Sequence, residues 1–109
     1  MSEVPQIPVS EIPDDAVLLD VREPDEWQAG HAPGAVHVPL ADVPSRLGDL
    51  PEVAGRLPVV CRSGGRSGRA VEWLAQQGFE VANVDGGMRA WDGAGKAMTA
   101  ENGESPTVI

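Results

Sequence analysis

Five short runs of β-branched or aliphatic residues alternate with helix-prone or turn-rich stretches: Ile7 to Val9, Ala16 to Val21, Ala35 to Val38, Pro58 to Cys61 and Val81 to Val84. Runs of this length and composition read as buried strands. Between them, Asp25 to Ala29, Ala41 to Leu50 and Arg66 to Gln77 have helical potential. The third is the clearest, because Ala70, Val71, Leu74 and Ala75 recur at helical spacing and form one apolar stripe. Gly78 stops it, and with Gly78 left-handed, Phe79 falls where it folds back onto Leu74. Strands joined through helices need crossover connections. The sequence therefore predicts an α/β domain with a central, mostly parallel five-stranded sheet and helices on both faces.

A chain of 109 residues, 41% of them hydrophobic, can build one core, so one domain is expected. Its expected extent is residues 1–96, with 97–109 as a flexible tail, because from about Gly93 onward the sequence has no periodicity. No apolar run approaches the ~20 residues that a bilayer crossing needs. The amino-terminal stretch is acidic and proline-punctuated where a secretory signal has a basic start and an apolar centre. The expectation is a cytoplasmic protein with no membrane partner. A formal charge of -9 argues against nucleic acid, whose phosphates need a broad basic face. Yet from Ala54 to Val71 there is no acid, and Arg56, Arg62, Arg66 and Arg69 all fall there. The only cysteine, Cys61, lies inside this positive island.

A lone cysteine makes no intramolecular disulfide, and no Cys/His cluster has zinc-ligand spacing, so the thiol is either inert filler or a reagent. Its setting decides between them. Val59-Val60-Cys61-Arg62-Ser63-Gly64-Gly65-Arg66-Ser67 reads as a strand, a glycine turn and a helix start. In such a loop successive N–H groups point at one spot, and the helix dipole adds positive potential. A sulfur at the rim of that nest is stabilised as thiolate, since helix amino termini and nearby cations lower a thiol from about 8.5 to roughly 3.5 to 7.5. Gly64 and Gly65 let the backbone come close, Arg62 and Arg66 can supply forked donors for an anion or for the helix start, and Ser63 and Ser67 can bond the sulfur or cap the helix. The bland alternative is a small buried hydrophobe flanked by surface charges. Arg69, further along the helix, reads as solvated.

Three motifs together resemble the rhodanese family, over about Ile7 to Gly93. Leu19-Asp20-Val21-Arg22-Glu23-Pro24-Asp25-Glu26-Trp27, followed by Gly30-His31-Ala32-Pro33-Gly34-Ala35, is similar to the family's amino-terminal pattern. Cys-Arg-Ser-Gly-Gly-Arg-Ser stands in the middle, and Val84-Asp85-Gly86-Gly87-Met88-Arg89-Ala90-Trp91 resembles the carboxy-terminal pattern. The resemblance implies a rhodanese-like fold, Cys61 as the sulfur-accepting nucleophile, and Arg62, Ser63, Gly64, Gly65 and Arg66 as the cradle that binds substrate. Asp20 and Arg22 then hold neighbouring loops, His31 braces the same turn, and Gly86 marks a tight turn near the site. Trp27 and Trp91 read as packing residues.

The implied activity is that of a thiosulfate sulfurtransferase. Sulfane sulfur moves from a small anionic donor, through a Cys61 persulfide, to cyanide, a small thiol or a protein thiol. With no second cysteine the acceptor is external, and no metal or organic cofactor is implied. Two alternatives remain at this stage. Cysteine phosphatases use a similar cradle, but their loops are one residue longer than the four residues between Cys61 and Arg66. The other is a non-catalytic recognition or redox-sensing module.

Overall fold

The computed structural model describes residues 4–109. Strands β1 (Gln6–Ile7), β2 (Leu18–Asp20), β3 (Ala35–His37), β4 (Leu57–Val60) and β5 (Val81–Val84) form one sheet in the order β1-β5-β4-β2-β3. Every pairing is parallel, so the mostly parallel sheet expected from the sequence is wholly parallel. Helices α1 (Pro24–Ala29), α2 (Gly65–Gln76) and α3 (Gly87–Gly93) complete the domain.

Alternation along the strands feeds two cores. Leu19, Val59 and Val81 point to one face, where Ala70, Val71 and Leu74 of α2 cover them together with Val43 and Leu50. Leu18, Val60 and Val84 point to the other, where Met88 and Trp91 of α3 pack with Ile12. The stripe on α2 is the one the sequence predicts. Its end is as expected too, since Gly78 has φ +93° and the Phe79 amide bonds the Leu74 carbonyl at 3.1 Å.

Two expectations need correction. Ala41 to Leu50 is not an α-helix but two 3-10 turns, Leu40–Ser45 and Leu47–Asp49. Pro44 stands inside the first; it has no N–H for an α-helical bond, and in an α-helix its ring would clash with the carbonyl four residues back. Val9 lies not in a strand but in a 3-10 turn, Val9–Glu11, that follows Pro8 and ends β1 early. Helix α3 lies beyond what the sequence predicts: seven residues capped by Gly86 and opening on Gly87 are too short for periodicity to show, and only the spacing of Met88 and Trp91 hints at it.

The stretch 97–109, expected as a loose tail, holds no helix and only an isolated bridge, Thr99 to His31. Its backbone is nevertheless bonded to the domain. Thr99 and His31 exchange N–H···O bonds of 2.9 and 2.8 Å, and the Glu101 and Thr107 amides donate to the carbonyls of Gln28 and Ala29, each at 2.9 Å. Among the described residues no helix is long and apolar enough to cross a membrane.

Candidate active site

In a parallel sheet the carboxyl ends of all strands lie along one edge, and ligands bind in the crevice beyond it. Here β2 delivers Asp20 and Arg22 to that edge, β4 delivers Cys61, and β5 delivers Gly86. The loop from Cys61 turns sharply at Gly64, whose φ of +112° suits glycine, and enters α2 at Gly65.

The sulfur lies on the floor of this loop, not at its rim. Cys61 is 1% exposed, and its Sγ accepts hydrogen bonds from the Gly64 amide at 3.0 Å and the Ser67 hydroxyl at 3.2 Å. Burial, the largest single influence, pushes the thiol up. The Ser67 hydroxyl and the amides of Ser67, Gly64 and Ser63 together outweigh it, and the thiol is held below its ordinary value. A buried small hydrophobe has no such donor set. This geometry favours a sulfur prepared for negative charge.

The cradle residues divide. Ser63 is exposed, and its amide adds a small part to the lowering of the Cys61 thiol. Ser67 is completely buried and takes the sulfur-bonding role. Arg62 is exposed, and among the described residues its guanidinium has no carboxylate partner, leaving it available to an anion.

Of the two roles open to the Arg66 fork, an anion or the helix start, the second is the one seen. Its Nη1 and Nη2 donate to Oε1 and Oε2 of Glu26 at 2.7 and 2.8 Å, where α1 meets the start of α2. Those bonds raise Arg66 above the ordinary arginine range, with the charge of Cys61 adding to the effect, and Arg66 in turn holds the Glu26 carboxyl below its usual value. Arg66 thus supplies positive potential at the loop while its polar edge locks α1 to α2.

Asp20 and Arg22 form a buried ion pair, both fully enclosed, with Arg22 Nη2 2.8 Å from Asp20 Oδ2. The same nitrogen donates to the Gly30 carbonyl at 2.7 Å, tying the β2 loop to the turn after α1. His31 sits in that turn. Its ring stacks on Trp27 at 3.5 Å, with Nδ1 against the Ala32 carbonyl and Nε2 against Glu101, each at 3.0 Å. These residues hold loops and do not reach the sulfur.

Gly86 and Gly87, at φ +77° and +61°, start α3 against the loop's back. The Met88 and Arg89 amides donate to the carbonyls of Cys61 and Arg62 at 2.8 and 3.0 Å. Those bonds engage the loop's first two carbonyls on α3, while the Gly64 amide donates to the sulfur. The sequence reading missed Asn83, a buried polar residue of β5 that bonds Ser67, Gly64 and Gln6. A polar residue inside the otherwise apolar run Val81 to Val84 was the available signal.

The family described as the Rhodanese-like domain matches residues 9–94. The chain belongs to the rhodanese-like family. Among relatives of this rhodanese-like chain, the Bacillus subtilis protein YtwF is 40% identical over 86 residues, 79% of this chain and 82% of that protein. A sulfurtransferase of Allochromatium vinosum is 36% identical over 91 residues, 83% of this chain and 84% of that protein. A rhodanese-related protein from Thermoplasma volcanium superposes with a TM-score of 0.78 at 28% identity, covering 87% of this chain and 97% of that one. Family and relatives together support a role in sulfur transfer for this rhodanese-like domain.

Proposed function

We propose that this chain is a cytoplasmic sulfurtransferase that carries sulfane sulfur on Cys61, taking it from an anionic donor such as thiosulfate and giving it to cyanide, a small thiol or a protein thiol. The observation that carries this reading is the pair of hydrogen-bond donors on Sγ, the Gly64 amide and the Ser67 hydroxyl. Donors fixed on a sulfur favour its anion, and the thiolate is the nucleophilic form.

The thiolate attacks the outer sulfur of thiosulfate. A bond forms between Sγ and that sulfur, the donor's S–S bond breaks, and sulfite leaves with the electron pair. The terminal sulfur of the persulfide carries the negative charge, and the nest of amides faces it as it faced the thiolate. An external nucleophile then takes that sulfur, returning the electron pair to Sγ. Arg62 is exposed at the loop and placed to meet the incoming oxyanion, while Arg66 is bonded to Glu26. Two half-reactions through a covalent intermediate give ping-pong kinetics.

A phosphatase reading fits less well. The loop holds only four residues between Cys61 and Arg66, and its arginine fork is already filled.

Intact mass after exposure to thiosulfate is expected to rise by one sulfur atom and to return on adding cyanide or a reductant. Cys61→Ser is expected to abolish the gain while keeping the fold. Failure of the unmutated protein to take up sulfur from thiosulfate or a polysulfide would remove this reading.

A further inference from the structure

Asn83 sits in β5 with 4% of its surface exposed, and both ends of its carboxamide are engaged. Nδ2 donates to Oε1 of Gln6 at 3.1 Å and to the Gly64 carbonyl at 3.2 Å. A backbone carbonyl only accepts, so the amino end of Asn83 must face Gly64 and its oxygen must face Ser67. The Ser67 hydroxyl accordingly lies against Asn83 Oδ1 on one side and Cys61 Sγ on the other. It has one hydrogen and two acceptors within reach.

Which acceptor wins depends on where the charge is. Hydrogen bonds to an ionised partner are roughly twice as strong as neutral ones, so a thiolate takes the hydrogen from a neutral amide oxygen. Once Sγ is bonded to a second sulfur, the negative charge sits on the terminal atom. Sγ is then a weak neutral acceptor, and the amide oxygen is the stronger one.

We propose that Asn83 is a positioning residue acting through Ser67, making that hydroxyl a two-position switch that points to Sγ in the thiolate and to Asn83 in the persulfide. The second state presupposes the persulfide proposed above; the first needs only a thiolate. The hydroxyl turns about its C–O bond and no proton is transferred. The buried Asn83 oxygen lacks the Ser67 hydrogen bond in the free thiolate and regains it on loading, so Asn83 biases the cycle toward the sulfur-loaded form.

The test uses Asn83→Leu, which removes the acceptor while keeping the branched shape, Ser67→Ala, and the double variant. Two quantities are read: the pH midpoint of Cys61 alkylation by iodoacetamide, and the fraction loaded at a fixed thiosulfate-to-sulfite ratio, by intact mass. Asn83→Leu is expected to move the midpoint to lower pH and to lower the loading equilibrium about threefold to tenfold. In the Ser67→Ala background the same substitution removes only the bonds to the Gly64 carbonyl and Gln6, so the difference between the two backgrounds isolates the path through Ser67. A Ser67-dependent shift to lower pH with lower loading is expected; no difference between the backgrounds, or one toward higher pH, overturns the switch and leaves Asn83 only holding Gly64. Because a buried substitution can unfold the strand, the unmutated protein supplies a second readout. The Asn83 carboxamide carbon resonance is expected to move downfield on sulfur loading and to stay fixed in the Ser67→Ala protein; no movement in the unmutated protein also overturns the switch. Alkylation needs no sulfur donor, so a protein that never loads removes the persulfide reading while the titrations still judge the coupling of Asn83 to Ser67.

Discussion

The guanidinium of Arg66 lies fork to fork on the carboxylate of Glu26, two bonds of 2.7 and 2.8 Å joining residues 40 apart in sequence. The pair locks α1 onto the start of α2 and places a negative charge beside the loop proposed to receive an anion. Glu26→Gln is therefore expected to lower the KM for thiosulfate several-fold, by up to about tenfold, because it removes a repelling charge and releases the fork. Steady-state kinetics at fixed ionic strength check this. A raised KM would show the clamp to be more important for loop shape than for charge.

The same pair gives the fold an acid limit. The Arg66 hydrogen bonds, outweighing burial, hold Glu26 below its ordinary 4.5. A carboxyl lowered in the folded state contributes stability that is fully present above its unfolded value and is lost as pH falls through the folded value. The stability difference between the unmutated protein and Glu26→Gln is thus expected to be constant near neutrality, on the order of 1–2 kcal/mol, and to shrink below about pH 4.5. Denaturant titrations across that range measure it.

For the thiol the relevant window lies higher. Donors on Sγ hold Cys61 below its ordinary 9.0, so the rate of sulfur uptake is expected to rise with pH through that lowered midpoint and to level off above it. Ser67→Ala removes one donor and is expected to move the rise to higher pH while leaving the plateau rate within about tenfold. An unmoved profile would mean that the backbone amides alone set the thiolate.

How far the sequence disclosed this site follows from how local each determinant is. The loop from Cys61 to Ser67 was legible because strand, glycine turn and helix start are contiguous, and the stripe on α2 because twelve residues suffice for a period to show. The Arg66–Glu26 pair is not legible in the sequence, because Glu26 comes from another helix and nothing in the spacing of either announces the other. Asn83 was passed over for the same reason: a polar residue in a buried strand reads as a fault until the three groups it joins are seen around it. The region of Ala41 to Leu50 failed on a local rule, since Pro44 was present to exclude an α-helix.

Gly87 illustrates a constraint that only the structure reveals. At φ +61°, a Cβ placed there would come within 2.6 Å of the Cys61 and Arg62 carbonyl oxygens. Gly87→Ala must therefore push α3 off the loop and weaken the Met88 and Arg89 amide bonds that turn those carbonyls away from the sulfur. The expected cost is about 2–3 kcal/mol of stability, from left-handed strain plus the displaced bonds. A thiol titrating closer to its ordinary value is expected with it. Denaturant unfolding and the alkylation profile read the two effects separately.

The carboxy-terminal stretch offers the last test. The amides of Thr99, Glu101 and Thr107 donate to His31, Gln28 and Ala29, and Trp91 Nε1 donates to the Ala97 carbonyl at 2.8 Å. Gly30 is approached so closely by this stretch that a Cβ on it would lie 2.5 Å from the Thr107 carbonyl oxygen. The Gly30–His31 turn also receives Arg22, so the stretch presses on the same turn that the buried Asp20–Arg22 pair anchors. A chain ending at Lys96 is expected to lose about 1–3 kcal/mol, because the Trp91 indole and the His31 and Ala29 backbone groups give up their partners. Hydrogen exchange at the Trp91 indole and the His31 amide is expected to quicken before any exchange in β4 or β5 does. If truncation leaves both stability and those exchange rates unchanged, residues 97–109 are a loose tail in solution, and the turn is held by Arg22 and the Trp27–His31 stack alone.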